Sequence, residues 1–497
     1  GMHHRLDAFD TYQDIRRLID EHEGQMRPRL ERLWNYYRNA LEPVGSPGLD
    51  HASRTYRLAQ EAGLPPRLRR QTANPHLDDR LPSREIVIEN DIAWRIHAMV
   101  DFMFGKAIRL VSASANESLR PTIERALERA WDASGGITLL QDAALLGHIY
   151  GHVDLLLRVD EPALALASAD SSSADALERA AKALRVEIIE PCRGIPITNA
   201  DDYRRLTGYL VHARRRRADP TRPSTRTWRS RAASSERRLD DREITVTEAF
   251  APGLHRVFEN ERLVRQSRSR ALPKSLPIVH IQNIAQPFRY AGLGEVEPLI
   301  PLQDELNTRL SDRANRVTLQ SFKMYLAKGI DGFDRFPVGP GQIWLTDNPN
   351  ASIEAFGADA ASPSETAHIL EIREALDKLS GVPPLASGVV RAKIGNLTSA
   401  NALRVTLMGL ISRTMRKRQT YGRGIQEISR LMLEALDEAG ILRTQPDDRR
   451  IRIDWPDPLP IDPRDEAHAA QARLDAGVPN EQVLAELGVD PESVAID

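Results

Sequence analysis

The chain has 497 residues, 41% hydrophobic and 28% charged, with 68 lysines and arginines against 70 aspartates and glutamates for a formal net charge of −2. That length buries several cores, and near-neutrality gives no global argument for a polyanionic partner. The single cysteine, Cys192, excludes an intrachain disulfide framework and a thiolate zinc site. No apolar run approaches the roughly 18 residues of a membrane span, and the opening GMHHRLDAFD is too polar for a signal peptide. The 32 prolines break the chain into short elements, with no fixed-period repeat.

In chain order, amphipathic spacing predicts helices over Thr11–Ile19, Arg29–Leu41 and Asn90–Met103, with Pro65, Pro66, Pro75 and Pro82 marking loops. PTIERALERAWDAS is a further helix with Pro121 in its first turn. The period then shortens. HVDLLLRV, LRVEIIEP, TGYLVHAR, EITVTEAF, LHRVFENERLVRQ and LPIVHIQN are β-rich and separated by turn signals, which predicts an antiparallel meander and one α+β domain over the first 290 or so residues. The Ala/Ser tract ALALASADSSSADALERAAKAL reads as an exposed insertion between two strands. A second insertion, the Arg-rich run within residues 213–242, reads either as a nucleic-acid arm or as a solvated hairpin tip, and its polarity favours the tip.

After Gly294 the pattern becomes helical. Leu299, Leu302, Leu306, Leu310, Ala314 and Val317 form one stripe, with charges elsewhere on the circumference. FKMYLAK, GQIWLTD and SIEAF then predict a small β module. Ser362, Pro363 and Glu365 make a capping-box start for a helix in which Ile369, Ile372, Leu376 and Leu379 recur at 3-4-3 spacing. A Gly/Pro-rich basic loop follows, then a helix capped by Thr398 or Ser399 and stopped by Gly440, with Gly422 and Gly424 as expected kink points. IRIDWPDPLP is a short strand, and Asp465 to Leu487 reads as two small helices.

The basic loop, SGVPPLASGVVRAKIGNLTSANAL, is not a phosphate cradle. A P-loop places its lysine after the second glycine, whereas here Lys393 precedes Gly395 and Asn396 stands where the lysine belongs. His148 and His152 stand four apart near Asp154, but the helical pattern runs into a strand between them, which breaks the spacing a metal needs. The carboxylate pairs Asp78-Asp79, Asp240-Asp241 and Asp447-Asp448 sit in turn-like, charged surroundings, and Ser387 lacks the first glycine of a nucleophile elbow. No catalytic set emerges, and no cofactor is expected.

The order of parts resembles the portal proteins of tailed bacteriophages, of the SPP1-like group. The resemblance is carried by IQNIAQPFRYAGLGEVEPLIPLQDELNTRLSDRANR, by GVPPLASGVVRAKIGNLTSANALRVTLMGLISRTMRKRQ, and by RIRIDWPDPLPIDPRDEAHAAQARLDAGVPNEQVLAELGVD. NDIAWRIHAMVDFMFGKAIRL and LLGHIYGHVDLLLRV also look like the family's early helix and first wing strand, so coverage runs from about Glu85 to Val489. Where family members often have Ser-Asp in the step before the long helix, this chain has GLGEVE, and little tail remains after Val489.

The resemblance implies an α+β portal fold with an α/β wing (1–296, carrying the N-terminal helices and the insertion at 213–242), a two-helix stem (297–320 and 362–380) and a small β clip (321–361). It further implies a tunnel loop (381–398), a long kinked helix (399–439), a wing strand (440–462) and a small helical crown (463–497). The implied assembly is a cyclic homo-oligomer, usually of twelve, at a capsid vertex, assembled in the bacterial host cytoplasm and without membrane. Its partners would be double-stranded DNA, the terminase large subunit, a head-completion adaptor, and capsid and scaffold proteins. Val389, Val390, Arg391 and Lys393 would line the DNA channel, and Phe322, Lys323, Tyr325 and Trp344 of the clip would dock terminase or adaptor. Twelve loops would bring about 24 positive charges near the phosphates, a contact without base readout that suits a sliding duplex. The competing readings are a passive head-completion or collar protein, which has no need of a basic loop, and a packaging-associated nucleic-acid enzyme, which the missing Walker lysine disfavours.

Overall fold

The computed structural model describes residues 12–47, 56, 86–169, 175–216, 243–321, 324–328, 347–356, 362–387, 400–459, 463–480 and 483. In chain order these form α1 (Tyr12–Glu21), α2 (Arg27–Arg38), α3 (Ala93–Phe104), β1 (Arg109–Ser112), α4 (Arg120–Ala133), α5 (Gly136–Tyr150), β2 (His152–Val159), α6 (Glu161–Ala169) and α7 (Ala176–Lys182). Then come β3 (Leu184–Ile189), β4 (Gly194–Thr198), β5 (Leu206–Arg216), β6 (Glu243–Ala251), β7 (Leu254–Glu259), β8 (Arg262–Arg268) and β9 (Ile278–Gln282). The remainder is α8 (Ile300–Ser321), β10 (Met324–Lys328), β11 (Ser352–Phe356), α9 (Pro363–Ser380), α10 (Ala400–Thr406), α11 (Met408–Glu438), β12 (Ile451–Asp454) and α12 (Pro463–Asp475). A π-helical turn, His22–Met26, joins α1 to α2.

The chain divides into two compact units: residues 1–19, 95–294 and 381–497 form one, and residues 20–94 and 295–380 the other. The boundary read at residue 296 in the sequence therefore nearly coincides with one crossing, but residues 20–94 pack with the segment after it.

The first unit is built on antiparallel sheets. Strands β4 to β8 form a five-stranded antiparallel meander in sequence order, of which β4 is not among the strands expected from sequence, whereas β3-β2-β9, expected in the same meander, is a separate sheet with β2 at its centre. Being central, β2 buries six successive residues from its start, which is why HVDLLLRV reads as a run and not as an alternation. Leu156, Ile189, Tyr209, Phe250 and Ile278 make one apolar cluster drawn from both sheets. Ile15 and Ile19 of α1 pack on Ile195, Leu210, Ala249 and Phe258 of the meander. The Arg-rich insertion leaves from Arg216 and returns at Glu243, which are cross-strand partners. Residues 217–242, which lie outside the described part, therefore connect the neighbouring antiparallel strands β5 and β6.

Two further sequence expectations are corrected in this unit. The Ala/Ser tract is not an exposed insertion: α6 and α7 occupy it, and Leu164, Ala167, Ala176, Ala180 and Ala181 are buried. The break in the long helix falls at Leu407, between α10 and α11, and not at Gly422 or Gly424, both of which lie inside α11. Those glycines admit neighbours instead: a β-carbon on Gly424 would stand 2.3 Å from Ile281 Cγ1, and one on Gly422 would stand 3.5 Å from the Trp455 ring. The stop at Gly440 is as expected. Gly440 has φ +72°, its N–H bonds the Asp437 carbonyl, and the Ile441 N–H bonds the Leu436 carbonyl, a Schellman closure.

The second unit packs α8 against α9. Leu299, Leu306 and Leu310 are buried, as are Ile369, Ile372 and Leu376, while Val317 (47% exposed) and Leu379 (46%) fall off their expected seams. Glu365 forms an ion pair with Arg316. A second stripe on α8 carries polar residues. Gln303, Asn307 and Ser311 are fully buried, and their side-chain oxygens accept the backbone N–H groups of Asp91 (3.1 Å), Glu89 (3.0 Å) and Val87 (3.0 Å). Four helical residues rise about 6.0 Å and two extended ones about 6.6 Å, so successive turns meet alternate residues. The helix thus acts as a surrogate strand for residues 86–91.

Candidate functional site

Of the residues expected to line a channel, Val389, Val390, Arg391 and Lys393 lie outside the described residues, as do Phe322, Lys323 and Trp344 of the expected docking strands. Tyr325 lies in β10, opposite Ala355 of β11 in an antiparallel ladder from Met324↔Phe356 to Lys328↔Ser352. The GQIWLTD segment falls almost wholly outside.

Both roots of the basic loop are fixed in the first unit. Gly381, at φ +69°, lies against the Arg413 side chain of α11, and Gly409 approaches it at 3.7 Å measured from an added β-carbon. Val382 is fully buried, and its carbonyl accepts a 2.8 Å bond from Nη1 of the buried Arg95. A 3₁₀ turn over Pro384–Ser387 follows. On the return side, the Leu407 N–H bonds Leu403 and the Ile411 N–H bonds Leu407, so α10 runs almost unbroken into α11. Arg404 pairs with Asp457, and Arg418 donates to the Pro456 carbonyl at 2.7 Å.

A site that the sequence reading missed lies on the same unit. Asp154 of β2, 1% exposed, accepts the Tyr209 hydroxyl at 2.5 Å and the Tyr290 hydroxyl at 2.8 Å, and faces Nδ1 of His280 at 2.6 Å. Nε2 of His280 faces the Tyr290 carbonyl at 2.7 Å. Burial would raise the Asp154 carboxyl, but His280, His152 and the Tyr209 hydroxyl together outweigh it and hold the group below the usual carboxylate value. Burial, reinforced by Asp154, pushes both tyrosine hydroxyls well up, so they remain donors.

This network fastens the 284–293 loop, whose ends are closed by the Ile284↔Leu293 bridge. The loop presents Phe288, 86% exposed and at φ +62°, with its ring 6.1 Å from that of Tyr203. Beside it, lined by Tyr203, Pro287 and Arg289 but not by Phe288 itself, lies an open groove of about 1100 Å³ between β9, the middle of α11 from Thr420 to Arg430, and the chain entering β12. Arginines dominate its lining, where the described carboxylate is Glu427. No local motif announces it, because its residues come from four separated segments; QPFRYAG alone hints that an aromatic and a cation share a turn.

The remaining candidates resolve into structural roles. His148 is fully buried at the end of α5, its Nδ1 2.6 Å from the Ala144 carbonyl, and burial with Lys417 nearby holds it well below its ordinary pKa. It stacks on Tyr421, while His152 lies beside His280 and Tyr290, so the two histidines part company. Among the described residues no three His, Cys, Asp or Glu side chains gather as a metal site. Asp448 caps the turn before β12 by accepting the Gln445 N–H at 2.9 Å, and also accepts the Ser114 hydroxyl. Asp78-Asp79 and Asp240-Asp241 lie outside the described residues.

These features define an α+β protein of helices and antiparallel sheets, with a pinned basic loop in its first unit. The family described as phage portal protein, SPP1 Gp6-like, matches residues 17–490, and the chain belongs to it. Among solved structures, a chain in the virion of a native gene transfer agent particle is similar at 14% identity, over 80% of this chain and 89% of that one, with TM-score 0.42. A chain in the neck of an empty gene transfer agent particle, computed with C6 symmetry, is similar at 14% identity over the same shares, with TM-score 0.40. No curated protein matches the sequence.

Proposed function

We propose that the protein is the ring-forming portal of a phage-type particle, a conduit for double-stranded DNA during packaging and ejection. The observation that carries this reading is the family match over residues 17–490. The pinned roots of the loop at Val382 and Leu407 support it, since a projecting loop needs a rigid base to hold its position in a channel. In this reading residues 1–296 and 440–462 are the wing, 297–320 and 362–380 the stem, 321–361 the clip, 399–439 the long helix and 463–497 the crown. Val389, Val390, Arg391 and Lys393 form the tunnel loop. Phe322, Lys323, Tyr325 and Trp344 mark the clip face for terminase and the head-completion adaptor. The assembly belongs to the virion, and its role is structural, not enzymatic.

The ring is tested in isolated particles. Twelve chains of 55.7 kDa make an assembly of about 670 kDa. Native mass spectrometry and class averages should show a closed ring near that mass, and a stable dimer would end the reading. The loop is tested by Arg391→Ala with Lys393→Ala. Rings should still assemble and package DNA but retain it less well, with the difference shrinking as salt rises. Failed assembly with normal retention in surviving rings would make these residues subunit contacts.

A further inference from the structure

The groove beside the Phe288 loop is built for an anion with flat faces. Of the arginines lining it, Arg204 pairs with Asp202, Arg430 with Glu427 and Glu434, Arg449 with Asp437, and Arg450 with Asp447. Arg289 and Arg423 are exposed, and neither forms an ion pair or side-chain hydrogen bond among the described residues. Arg205 is also exposed, with only the electrostatic influence of Asp202 nearby. Unmatched guanidinium groups around an open groove leave donors for an incoming anion.

Next to the lining residue Tyr203, Phe288 is the most exposed large apolar side chain among the described residues. Its left-handed backbone is unfavourable for a residue with a side chain, and persists because the surrounding contacts over-determine it. Those contacts are specific here. The Asp154–Tyr290–His280 network ties down the residues just after it, and Gln282 Nε2 donates to the carbonyls of Arg289 and Tyr290 at 2.8 and 2.9 Å. The loop is therefore preorganised to hold an aromatic ring in solvent beside Tyr203, over whose ring Arg204 lies at 5.7 Å.

We infer that this groove binds a single-stranded stretch of nucleic acid, with Arg289 and Arg423 on phosphates and Phe288 with Tyr203 as the stacking platform for a base. Cationic grooves with aromatic platforms suit unpaired strands, whose base faces are free. In a duplex those faces are already stacked, so Phe288 would have nothing to receive. An acidic polypeptide would satisfy the arginines but would give the paired rings no matching flat partner. The inference needs neither the tunnel loop nor a closed ring.

The test is fluorescence anisotropy of the full chain with labelled oligo-dT and with a blunt duplex of equal length. Oligo-dT should bind more tightly, with the logarithm of the affinity falling linearly with log salt. Arg289→Ala with Arg423→Ala should weaken oligo-dT binding about tenfold and flatten the salt slope by about 1.4, two phosphates at about 0.7 each. Phe288→Ala should weaken it about 5- to 150-fold with the slope unchanged. All three side chains are exposed, so unfolding of the variants is not expected, and an unchanged melting temperature checks it. Loss of the preference for oligo-dT over duplex on Arg391→Ala with Lys393→Ala, and not on the groove variants, would move the site to the loop and overturn the inference. Equal binding by the groove variants, equal affinity for duplex, or equal competition by polyglutamate would overturn the inference. So would a change in oligomer mass on Phe288→Ala, by light scattering, with affinity unaltered, since that marks a subunit contact.

Discussion

Gly424 has the side chain of Ile281 where its own β-carbon would be, so helix α11 reaches β9 more closely there than any other residue type permits. Gly424→Ala should cost about 1–3 kcal/mol by overpacking, read as a lower denaturation midpoint. Gly422→Ala meets only ordinary contacts at 3.5 Å and should be neutral or stabilising by up to about 1 kcal/mol, since alanine favours helix. If the two glycines were hinges, both changes would act alike. From sequence they looked like kink points because a helical glycine signals either a bend or a close neighbour, and the neighbour lies far away along the chain. Glu248 makes a second residue-scale case. Burial would raise its carboxyl, but hydrogen bonds from His255 and Arg158 hold it far below the ordinary glutamate value of 4.5. A depressed folded pKa stabilises above the unfolded value and loses that stabilisation as pH falls toward the folded one. Stability should therefore drop as pH is lowered from about 4.5, and Glu248→Gln should flatten that drop while lowering stability at neutral pH.

At the level of elements, the polar ladder on α8 shows what a leucine stripe conceals. The periodicity of Leu299, Leu306 and Leu310 was readable, yet Gln303, Asn307 and Ser311 at i, i+4 and i+8 look like an ordinary polar face until an extended segment is laid along it. Asn307→Ala would leave the Glu89 N–H without its acceptor and should cost about 1–3 kcal/mol, whereas Asn307→Asp keeps the acceptor. Slower amide exchange at Glu89 in the parent than in the alanine variant would confirm the contact. Most strands were legible because branched residues and turn signals mark them, down to the residues of β2, but β1 and β4, of four and five residues, were not. Helices α6 and α7 were not, because alanine contributes too little apolar surface to distinguish a packed face from a polar tract. Helix α5 escaped a full reading because its apolar residues, from Leu139 to Ile149, surround the axis without a clear stripe. The groove was illegible for another reason: its residues are assembled by topology. The basic loop was the reverse, conspicuous in sequence while its residues 388–399 lie outside the described part.

For the molecule as a whole, the first unit is closed by the pairing of β1 with β12, Arg109 to Ser112 against Asp454 to Ile451. Its helix α11 reaches the groove and the loop root, and Gln426 Nε2 fixes the Ile451 carbonyl at 2.8 Å. A chain ending at Arg450 should therefore lose far more than a terminal strand: limited proteolysis should cut the first unit readily. Survival of a protease-resistant fragment spanning residues 95–294 would show that β12 is dispensable. The same closure sets a timetable on the ribosome. At about 5–20 residues per second, β1 waits roughly 20–70 s after its own synthesis for β12 to emerge. Throughout that interval a finished strand presents an open edge in a crowded cell, next to many nascent copies of itself. Yield should then depend on how quickly residues 113–450 are translated, and synonymous codons that slow this stretch should lower the soluble fraction without altering a single side chain.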